Sequence, residues 1–246
     1  MTRSSNISFW PDLTSRHRQA ELMDDPQLDQ RLHKQALTGL SRINWLTRTH
    51  RLVWRPIESY CRENQLDSVT VLDLGCGSGD LLVWLKTKAQ AARIDLKITG
   101  CDMSPVALES ARHRADQEKL DADFLQMNVL DEILPTNHDI VICSLFLHHL
   151  ADGDVVHLLR RMAESARHLV VAADLHRGRW AHLMCWAGTR LITRSPVVHV
   201  DGPRSVEGAF TLVEIKQLVK QAGLTKYQIA RHWPERFVLT WKKPSP

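Results

Sequence analysis

A glycine-rich turn is the strongest chemical signal in the sequence. In VLDLGCGSGD, residues 71–80, an apolar run leads into Gly75, Gly77 and Gly79 and then into a segment of helical period. Glycine allows a tight turn and lets the backbone approach a ligand at a helix N-terminus. The spacing differs from the G-x-G-x-x-G that holds a dinucleotide pyrophosphate, and no G-x-x-x-x-G-K-[ST] phosphate loop is present. The turn therefore predicts a nucleotide-type ligand, with a plain strand-to-helix connection as the alternative.

An acidic residue ends the next predicted strand. Asp102 closes the run ITGCD, 27 residues after Gly75. A carboxylate at the carboxyl end of a neighbouring parallel strand can accept hydrogen bonds from both hydroxyls of a ribose. Alone, such an aspartate is more often a turn or cap residue. In this order after the glycine turn, it indicates a nucleoside ligand.

Two adjacent histidines, His148 and His149, could move a proton. They follow the predicted strand 139–144 in HDIVICSLFLHHL. Ligands of open α/β sheets bind beyond the carboxyl ends of the strands, which is where this loop must lie. Histidine titrates near neutrality and suits a general base. The alternative is that both histidines only cap the region of the following helix.

These residues are positioned by alternating strands and helices. Short β-branched runs predict strands at 69–74, 97–102, 123–127, 139–144 and 168–173. Segments of helical period predict helices at 80–91, 105–119 and 152–167. A capping box at Thr211 and Glu214 starts another helix that ends at Gly223.

The last two strand-like runs, 226–232 and 236–241, are separated by only three residues and predict a hairpin. The predicted fold class is therefore α/β. It is a Rossmann-like, doubly wound, mainly parallel seven-stranded sheet with a C-terminal antiparallel hairpin, plus an N-terminal helical cap.

Two segments lie outside this alternation. Residues 1–68 are predicted to form the helical cap, with helices at 28–40 and 45–64, the second interrupted at Pro56. Residues 69–246 form the main domain, with an insertion at 175–210. The polar, turn-rich run 199–211 could fold back over the site. Both segments are candidates for a lid.

The insertion contains an amphipathic helix. On a helical wheel one face carries Trp180, Leu183, Met184, Ala187 and Leu191. On the opposite side Trp186 falls between Arg179 and Arg190. Basic residues beside tryptophan suit peripheral contact with a membrane or with a lipid-like substrate. The alternative is a lid helix that packs on the core.

Composition and charge exclude several classes of protein. The 246 residues are 43% hydrophobic and 24% charged, which is typical of a globular chain. The sequence has no apolar run of membrane-spanning length and no leader-like start, so a cytoplasmic protein is expected. Five cysteines without a C-x-x-C pair argue against a zinc site or a disulfide framework. The net charge of +4 divides into +2 over residues 1–68, −5 over residues 69–139 and +7 over residues 140–246. The acidic centre makes nucleic acid an unexpected partner.

The motifs between residues 69 and 241 resemble those of class I S-adenosylmethionine-dependent methyltransferases. The resemblance implies S-adenosyl-L-methionine as the cofactor, with the glycine turn against its methionine part and Asp73 reaching its amino group. Asp102 would hold the ribose and Met103 would pack on the adenine. Many relatives have Asp at the position of Asn128. The implied cofactor residues are Asp73, Gly75, Cys76, Gly77, Gly79, Asp102, Met103, Met127, Asn128 and Ser144.

The histidine loop resembles the fourth motif of small-molecule methyltransferases, which often carry a histidine there. It lacks the [DNS]-P-P-[YFW] motif of enzymes that methylate nucleobase amino groups and the Pro-Cys nucleophile of those that methylate cytosine carbon. The resemblance implies an oxygen or carbon acceptor, with His149, and after it His148, as base or substrate contact. Asp174 and His176 are candidate substrate residues. No metal is expected, because metal-dependent relatives need further carboxylate or amide ligands nearby.

The flanking runs MDDPQLD, LSRINWLTRT, ADLHRGRW and DGPRSVEGAFT resemble bacterial methyltransferases associated with type III polyketide synthases. This resemblance implies secondary metabolism and a phenolic, quinol-like or pyrone acceptor with an alkyl tail, and it places Asn44 and Trp45 on the substrate side. Two other hypotheses stay open. One is an RNA methyltransferase that docks through the basic C-terminal half, and the other is a non-catalytic, cofactor-binding interaction module. The sequence does not indicate an oligomeric state.

Overall fold

Seven strands form one mixed sheet in the computed structural model, which describes residues 11–25 and 27–244. The strands are β1 Ser68–Leu74, β2 Asp95–Asp102, β3 Ala122–Gln126, β4 His138–Ser144, β5 Ala166–Leu175, β6 Gln228–His232 and β7 Arg236–Lys242. Their order across the sheet is β3-β2-β1-β4-β5-β7-β6. Strands β1 to β5 are parallel, and β7 is antiparallel to β5 and β6. The predicted fold class, including the C-terminal hairpin, is confirmed.

Eight α-helices occur in the described part of the chain. They are α1 Gln30–Leu46, α2 Thr49–Glu63, α3 Asp80–Ala91, α4 Pro105–Gln117, α5 Asp152–Ser165, α6 Arg179–Ile192, α7 Pro196–Gly208 and α8 Leu212–Gln221. Short 3-10 turns cover Leu22–Asp24 and Leu147–His149. Helix α5 ends two residues earlier than predicted because Ala166 is already extended, with a ψ of 136°.

The sheet has its topological switch point beside β1, which pairs with β2 on one side and β4 on the other. Leu74, the last residue of β1, lies opposite Cys101 on β2 and Cys143 on β4. In open α/β sheets the ligand crevice lies outside the carboxyl ends of the strands at this point. The glycine turn, the end of β2 and the histidine loop after β4 therefore meet at one edge.

Helix α2 belongs to the sheet's own hydrophobic layer. Its buried residues include Val53, Trp54, Ile57 and Cys61, which share a core cluster with residues of β1, β4 and β5. The predicted interruption at Pro56 is wrong, since the helix runs through that residue. Proline removes one helical hydrogen bond, and burial of the flanking apolar residues offsets this loss. The predicted division of the chain at residue 68 stays a prediction.

The predicted end of the first helix at residue 40 is also wrong. Helix α1 continues to Leu46, and the chain turns at Arg48, which adopts a positive φ of 55°. Gly39 lies inside α1, where a Cβ would come within 2.5 Å of Thr193 Oγ1. Gly39 therefore permits close packing against the insertion and does not end the helix.

The insertion forms two packed helices, α6 and α7, where the sequence predicted a helix and then a turn-rich run. Residues 199–211 were expected to be irregular because they include Gly202 and Pro203, but α7 spans most of them. A Cβ on Gly202 would lie 2.8 Å from Thr189 Cγ2 of α6, so this glycine serves helix packing. Both helices also pack against α1.

The apolar stripe predicted on α6 is only partly packed. Its middle residues Leu183, Met184 and Ala187 are half-buried, whereas Trp180 and Leu191 at its ends are 71% and 86% exposed. The fully buried residues of the helix are Ala181, His182 and Thr189. Among the described helices, none combines the length and apolar character needed to span a bilayer. The expectation of no leader concerns residues 1–26, of which 1–10 and 26 lie outside the described residues.

Candidate active site

The glycine turn is bound to the end of β2. The amides of Gly75 and Cys76 both donate to the Cys101 carbonyl, at 2.8 and 2.9 Å. Gly75, Gly77 and Gly79 all have positive φ, at 75°, 55° and 73°, where residues with a side chain are strained. A Cβ on Gly77 would meet no atom within 4 Å, so this backbone faces open space that a ligand can enter.

Asp73 lies under this turn with an unsatisfied oxygen. The residue is 1% exposed, and its Oδ1 has no hydrogen-bond partner among the described residues. Burial, with smaller contributions from the charges of Asp102 and Asp80, raises the pKa of Asp73 to about 8. A buried, unpaired acid of this kind is costly, and a cationic ligand group would compensate it. The site therefore fits the amino group of S-adenosylmethionine.

Asp102 is held by two backbone amides. Gly77 N donates to Oδ2 and Ser104 N donates to Oδ1, each at 2.8 Å. Burial raises the pKa of Asp102, while these amide bonds act in the opposite direction. Each oxygen keeps a further lone pair. Asp102 can therefore orient the glycine turn and still accept hydrogen bonds from a ribose.

The other proposed cofactor residues lie in unlike surroundings. Met103 is 67% exposed at the crevice edge, Met127 is buried in the core, and Ser144 is half-buried at the end of β4. The Asn128 side chain is committed to its own turn, because its amide donates to Asp131 and its oxygen accepts from Leu130 N. The predicted adenine contact of Asn128 would have to share these atoms.

The histidine loop brings a buried His–Asp pair to the crevice. His148 Nδ1 lies 2.6 Å from Asp174 Oδ1, and the His148 amide donates to Asp174 Oδ2 at 3.2 Å. Burial acts to raise the pKa of Asp174, but the neighbouring His148 outweighs it and leaves this pKa below the usual range. The pairing fixes the ring through Nδ1 and leaves Nε2 directed away from Asp174.

His149 faces carboxylates from the N-terminal segment, residues 11–25. Its Nδ1 lies 3.6 Å from Asp24 Oδ2 and 3.8 Å from Glu21 Oε1. Burial acts to lower the pKa of His149, but these carboxylates outweigh it and raise the pKa to about 9. These carboxylates favour the protonated form of His149. The tilted ring of His148, 4.2 Å away between centroids, is the one placed to accept a proton.

Phe146 connects the histidine loop to the glycine turn. A Cβ on Gly75 would lie 2.9 Å from the Phe146 ring, and that ring lies 6.2 Å from His149 between centroids. The proposed cofactor and acceptor groups are thus separated by a single aromatic side chain. This proximity is what a direct transfer between two bound molecules requires.

The N-terminal segment is fixed over the histidine loop by many hydrogen bonds. Arg16 donates to the carbonyls of His148, Leu150 and Gly208, at 2.6 to 2.9 Å. Arg18 donates to the His149 carbonyl at 2.9 Å. A cavity of about 280 Å³ lies against this segment, lined by residues that include Arg18, Glu21, Asp24, His148, His149 and Arg204. The segment therefore forms one wall of the acceptor side.

Of the four candidate substrate residues, Asp174 is placed differently from the prediction. It is 1% exposed and both oxygens are bound by residues of the chain, so it acts on His148 and cannot contact a substrate directly. His176 lies 3.3 Å from Glu235 at the hairpin. Asn44 is half-buried and Trp45 is 66% exposed at the end of α1, and their substrate role stays a prediction.

Sequence patterns did not identify Glu21 and Asp24 as site residues. Both belong to a segment more than 120 positions before the histidine loop in sequence. The local spacing in this segment, which includes part of the flanking motif MDDPQLD, does not indicate a long-range partner. The acidic residues just before the predicted cap helix were the one feature that could have pointed to a site there.

The fold and the geometry of the site define a Rossmann-like methyltransferase domain. Residues 71–168 match the family described as a methyltransferase domain. Ubiquinone biosynthesis O-methyltransferases are similar in sequence. The protein from Klebsiella pneumoniae is 29% identical over 171 residues, 68% of this chain and 66% of the relative. The one from Erwinia tasmaniensis is 30% identical over 134 residues, 53% of this chain and 52% of the relative.

Solved structures agree on the fold. The crystal structure of the plantazolicin methyltransferase BpumL, in complex with a triazolic desmethylPZN analogue and SAH, has a TM-score of 0.65 and 16% identity, covering 86% of this chain and 91% of that chain. Residues 71–168 thus contain a methyltransferase domain, and the chain has the fold of these solved methyltransferases. The matches span 66% and 52% of the length of the two curated relatives named above.

Proposed function

We propose that the protein transfers the methyl group of S-adenosylmethionine to a hydroxyl oxygen of a small, partly apolar phenolic or quinol-type acceptor. The observation that carries the proposal is the buried His148–Asp174 pair, held beside the glycine turn at the switch point of the sheet. The similarity to ubiquinone biosynthesis O-methyltransferases supports an oxygen acceptor.

The cofactor side is provided by the ends of β1 and β2. When bound, S-adenosylmethionine supplies an electrophilic methyl group on a sulfonium sulfur and keeps the electrons of the broken bond as the thioether. Asp73 would hold its amino group, Asp102 the ribose, and the backbone at Gly77 would allow close approach. Positioning of this kind accounts for most of the catalysis that a methyl transfer needs.

The acceptor side is provided by the histidine loop. In the proposed mechanism the hydroxyl proton passes to His148 Nε2 while the oxygen bonds to the methyl carbon. Asp174 keeps the imidazole in the required tautomer and stabilises the imidazolium that forms. His149 is committed to Glu21 and Asp24, so it takes the role of an acceptor contact. The proposed base is therefore His148, whereas the sequence favoured His149 over His148.

The proposal is tested with isotope-labelled methyl donor and a panel of catechol, hydroquinone and hydroxypyrone acceptors analysed by mass spectrometry. The expected result is a labelled O-methyl product, with His148→Gln lowering the rate about 10²–10⁴-fold, the usual contribution of a general base. His157→Gln, an exposed histidine on α5, is the matched control. Wild-type rates for His148→Gln, or label only on carbon, would contradict the proposal.

We propose in addition that the exposed side chains Trp180, Trp186 and Leu191 of α6 contact a membrane or the apolar tail of the acceptor. Trp180 and Leu191 are largely exposed, and Trp186 is 48% exposed with Arg190 stacked 4.5 Å from its ring centre. Residues 175–200 contain arginines but no Asp or Glu. An apolar face beside unopposed positive charge favours an anionic bilayer surface.

A further inference from the structure

Three potential metal ligands converge where the N-terminal segment meets the histidine loop. Glu21 Oε1, His148 Nε2 and His149 Nδ1 lie within 4.8 Å of one another. The carboxylate oxygen is 3.8 Å from each of the two ring nitrogens. Ligands of a tetrahedral zinc ion, at about 2.0–2.1 Å from the metal, lie about 3.3 Å apart. Small side-chain movements would therefore close this set around an ion.

Two of these ligands are already oriented by other residues. Asp174 binds His148 through Nδ1, the arrangement that fixes a metal-binding histidine and leaves its other nitrogen free. Ser205 Oγ of α7 donates to Glu21 Oε1 at 2.6 Å. Asp201 on the same helix accepts from the amides of Leu22 and Met23, at 2.8 and 3.0 Å. The segment that carries Glu21 is thus held in place before any ion binds.

We propose that Glu21, His148 and His149 bind a divalent transition-metal ion such as Zn²⁺, and that the ion inhibits the enzyme. Two imidazoles and one carboxylate suit zinc and its neighbours, whereas magnesium and calcium require oxygen ligands. The inhibitory part rests on the proposed function. A metal bound to His148 Nε2 would occupy the atom that accepts the hydroxyl proton, so the bound ion would block the proposed methyl transfer.

Binding is measured first, without any assay of activity. The metal-free, full-length protein is titrated against Zn²⁺ held by a chromophoric chelator. Binding of one equivalent of Zn²⁺ is expected. Glu21→Gln, which removes a ligand, and Asp174→Asn, which removes the partner that orients His148, should each bind zinc at least about tenfold more weakly. Asp25→Asn changes the same charge in the same segment and should bind like wild type, since Asp25 is exposed and its side chain accepts a hydrogen bond from Gln27 N.

The activity arm uses Zn²⁺ on the methyl-transfer assay, with each variant compared with its own metal-free rate. Wild type and Asp25→Asn should lose activity as the site fills, and EDTA should restore it, whereas Glu21→Gln should keep its own rate. Ser205→Ala removes the hydroxyl that donates to Glu21 and should weaken zinc binding partially. It tests the same site without changing a ligand, so the result does not depend on whether Glu21→Gln folds correctly.

Absence of one-to-one binding, or unchanged affinity in Glu21→Gln, would overturn the metal site. Activation by zinc would overturn the inhibitory role. Failure of the proposed function gives a different pattern, in which zinc binds as described but no acceptor is methylated at any metal concentration.

Discussion

Asp73 shows how a single buried group can couple cofactor binding to protons. Its pKa of about 8 means that the side chain is mostly protonated at pH 7. An ammonium group bound to it would stabilise the carboxylate and lower that pKa. Binding at pH 7 should therefore release close to one proton. The affinity for S-adenosylhomocysteine should also rise with pH between about 5.5 and 7.5.

Calorimetry of S-adenosylhomocysteine binding in buffers of different ionisation enthalpy measures this proton. Asp73→Asn should bind more weakly and release none. Proton release that persists in Asp73→Asn would assign it to another group.

The same shift predicts how stability depends on pH without ligand. Because the folded-state pKa of Asp73 lies above its ordinary 3.8, the folded chain binds the proton more tightly than the unfolded chain. The contribution of this group to the free energy of unfolding is therefore greatest at low pH. It is lost as the pH rises from 3.8 to about 8. Urea unfolding at pH 5 and pH 7.5 should show Asp73→Asn gaining stability relative to wild type at the higher pH.

Asp174 is expected to act on catalysis through His148. Asp174→Asn keeps the shape but leaves the His148 ring without its anionic partner, so kcat should fall by about 10²-fold, the lower end of a general-base effect. The KM for S-adenosylmethionine should change little, because Asp174 touches none of the proposed cofactor residues. Melting curves distinguish lost activity from lost structure at this buried site.

At the residue scale, the predicted cofactor residues depend on local order more than the acceptor residues do. Asp73 and Asp102 are defined by their places at strand ends, and the structure brings them to one edge, where their cofactor roles stay a prediction. Glu21 could not be predicted, because its position depends on hydrogen bonds to Asp201 and Ser205 of α7 and not on its neighbours. Asp174 was predicted to contact the substrate, whereas in the structure it is buried and bonds to His148, and burial cannot be derived from the local sequence.

At the element scale, substitutions in the glycine turn can distinguish an effect of backbone strain on stability from an effect on cofactor binding. Gly77→Ala should cost about 1–2 kcal/mol of stability because of its positive φ, and it should abolish tight S-adenosylhomocysteine binding because the new methyl enters the open space. Gly223→Ala has the same strain at a φ of 80° and open surroundings at the end of α8, so it should lose stability alone.

Gly75→Ala adds a third, distinct outcome. Its Cβ would collide with the Phe146 ring at 2.9 Å, so this variant should be less stable than either of the others. Thermal melting and calorimetry of the three variants give the comparison. Equal loss of cofactor affinity in Gly223→Ala would contradict the assignment of the turn.

Element prediction succeeded where local signals agree and failed where packing decided. Helix α3 begins and ends where its period predicts, and the capping box of α8 is present. Helix α7 was missed because Gly202 and Pro203 usually mark a turn, yet contact with α6 favours a helix there. Pro56 likewise predicted an interruption that is absent, since burial of α2 offsets the missing helical hydrogen bond.

At the scale of the whole molecule, the uneven charge follows the two sides of the site. Residues 69–139, with seven Lys or Arg against 12 Asp or Glu, contain Asp73 and Asp102. Residues 140–246, with 15 against eight, contain the histidine loop, the insertion and the hairpin. Composition could show this division. It could not show that Trp180 and Leu191 of α6 are exposed, because the sequence of an amphipathic helix does not say how much of its apolar face another element covers.

The exposed side chains Trp180, Trp186 and Leu191 of α6 predict binding to anionic membranes. The protein should co-sediment with vesicles that contain phosphatidylcholine and phosphatidylglycerol, and only weakly with vesicles of pure phosphatidylcholine. Salt should reduce binding, because it screens the attraction between the arginines and the anionic headgroups. Leu191→Ser should weaken binding at least about tenfold, from the roughly 1.5 kcal/mol of apolar burial lost. Ile133→Ser, 92% exposed in the β3–β4 connection, is the control and should bind like wild type. Equal loss in both variants would show that general surface hydrophobicity, and not the stripe of α6, meets the membrane.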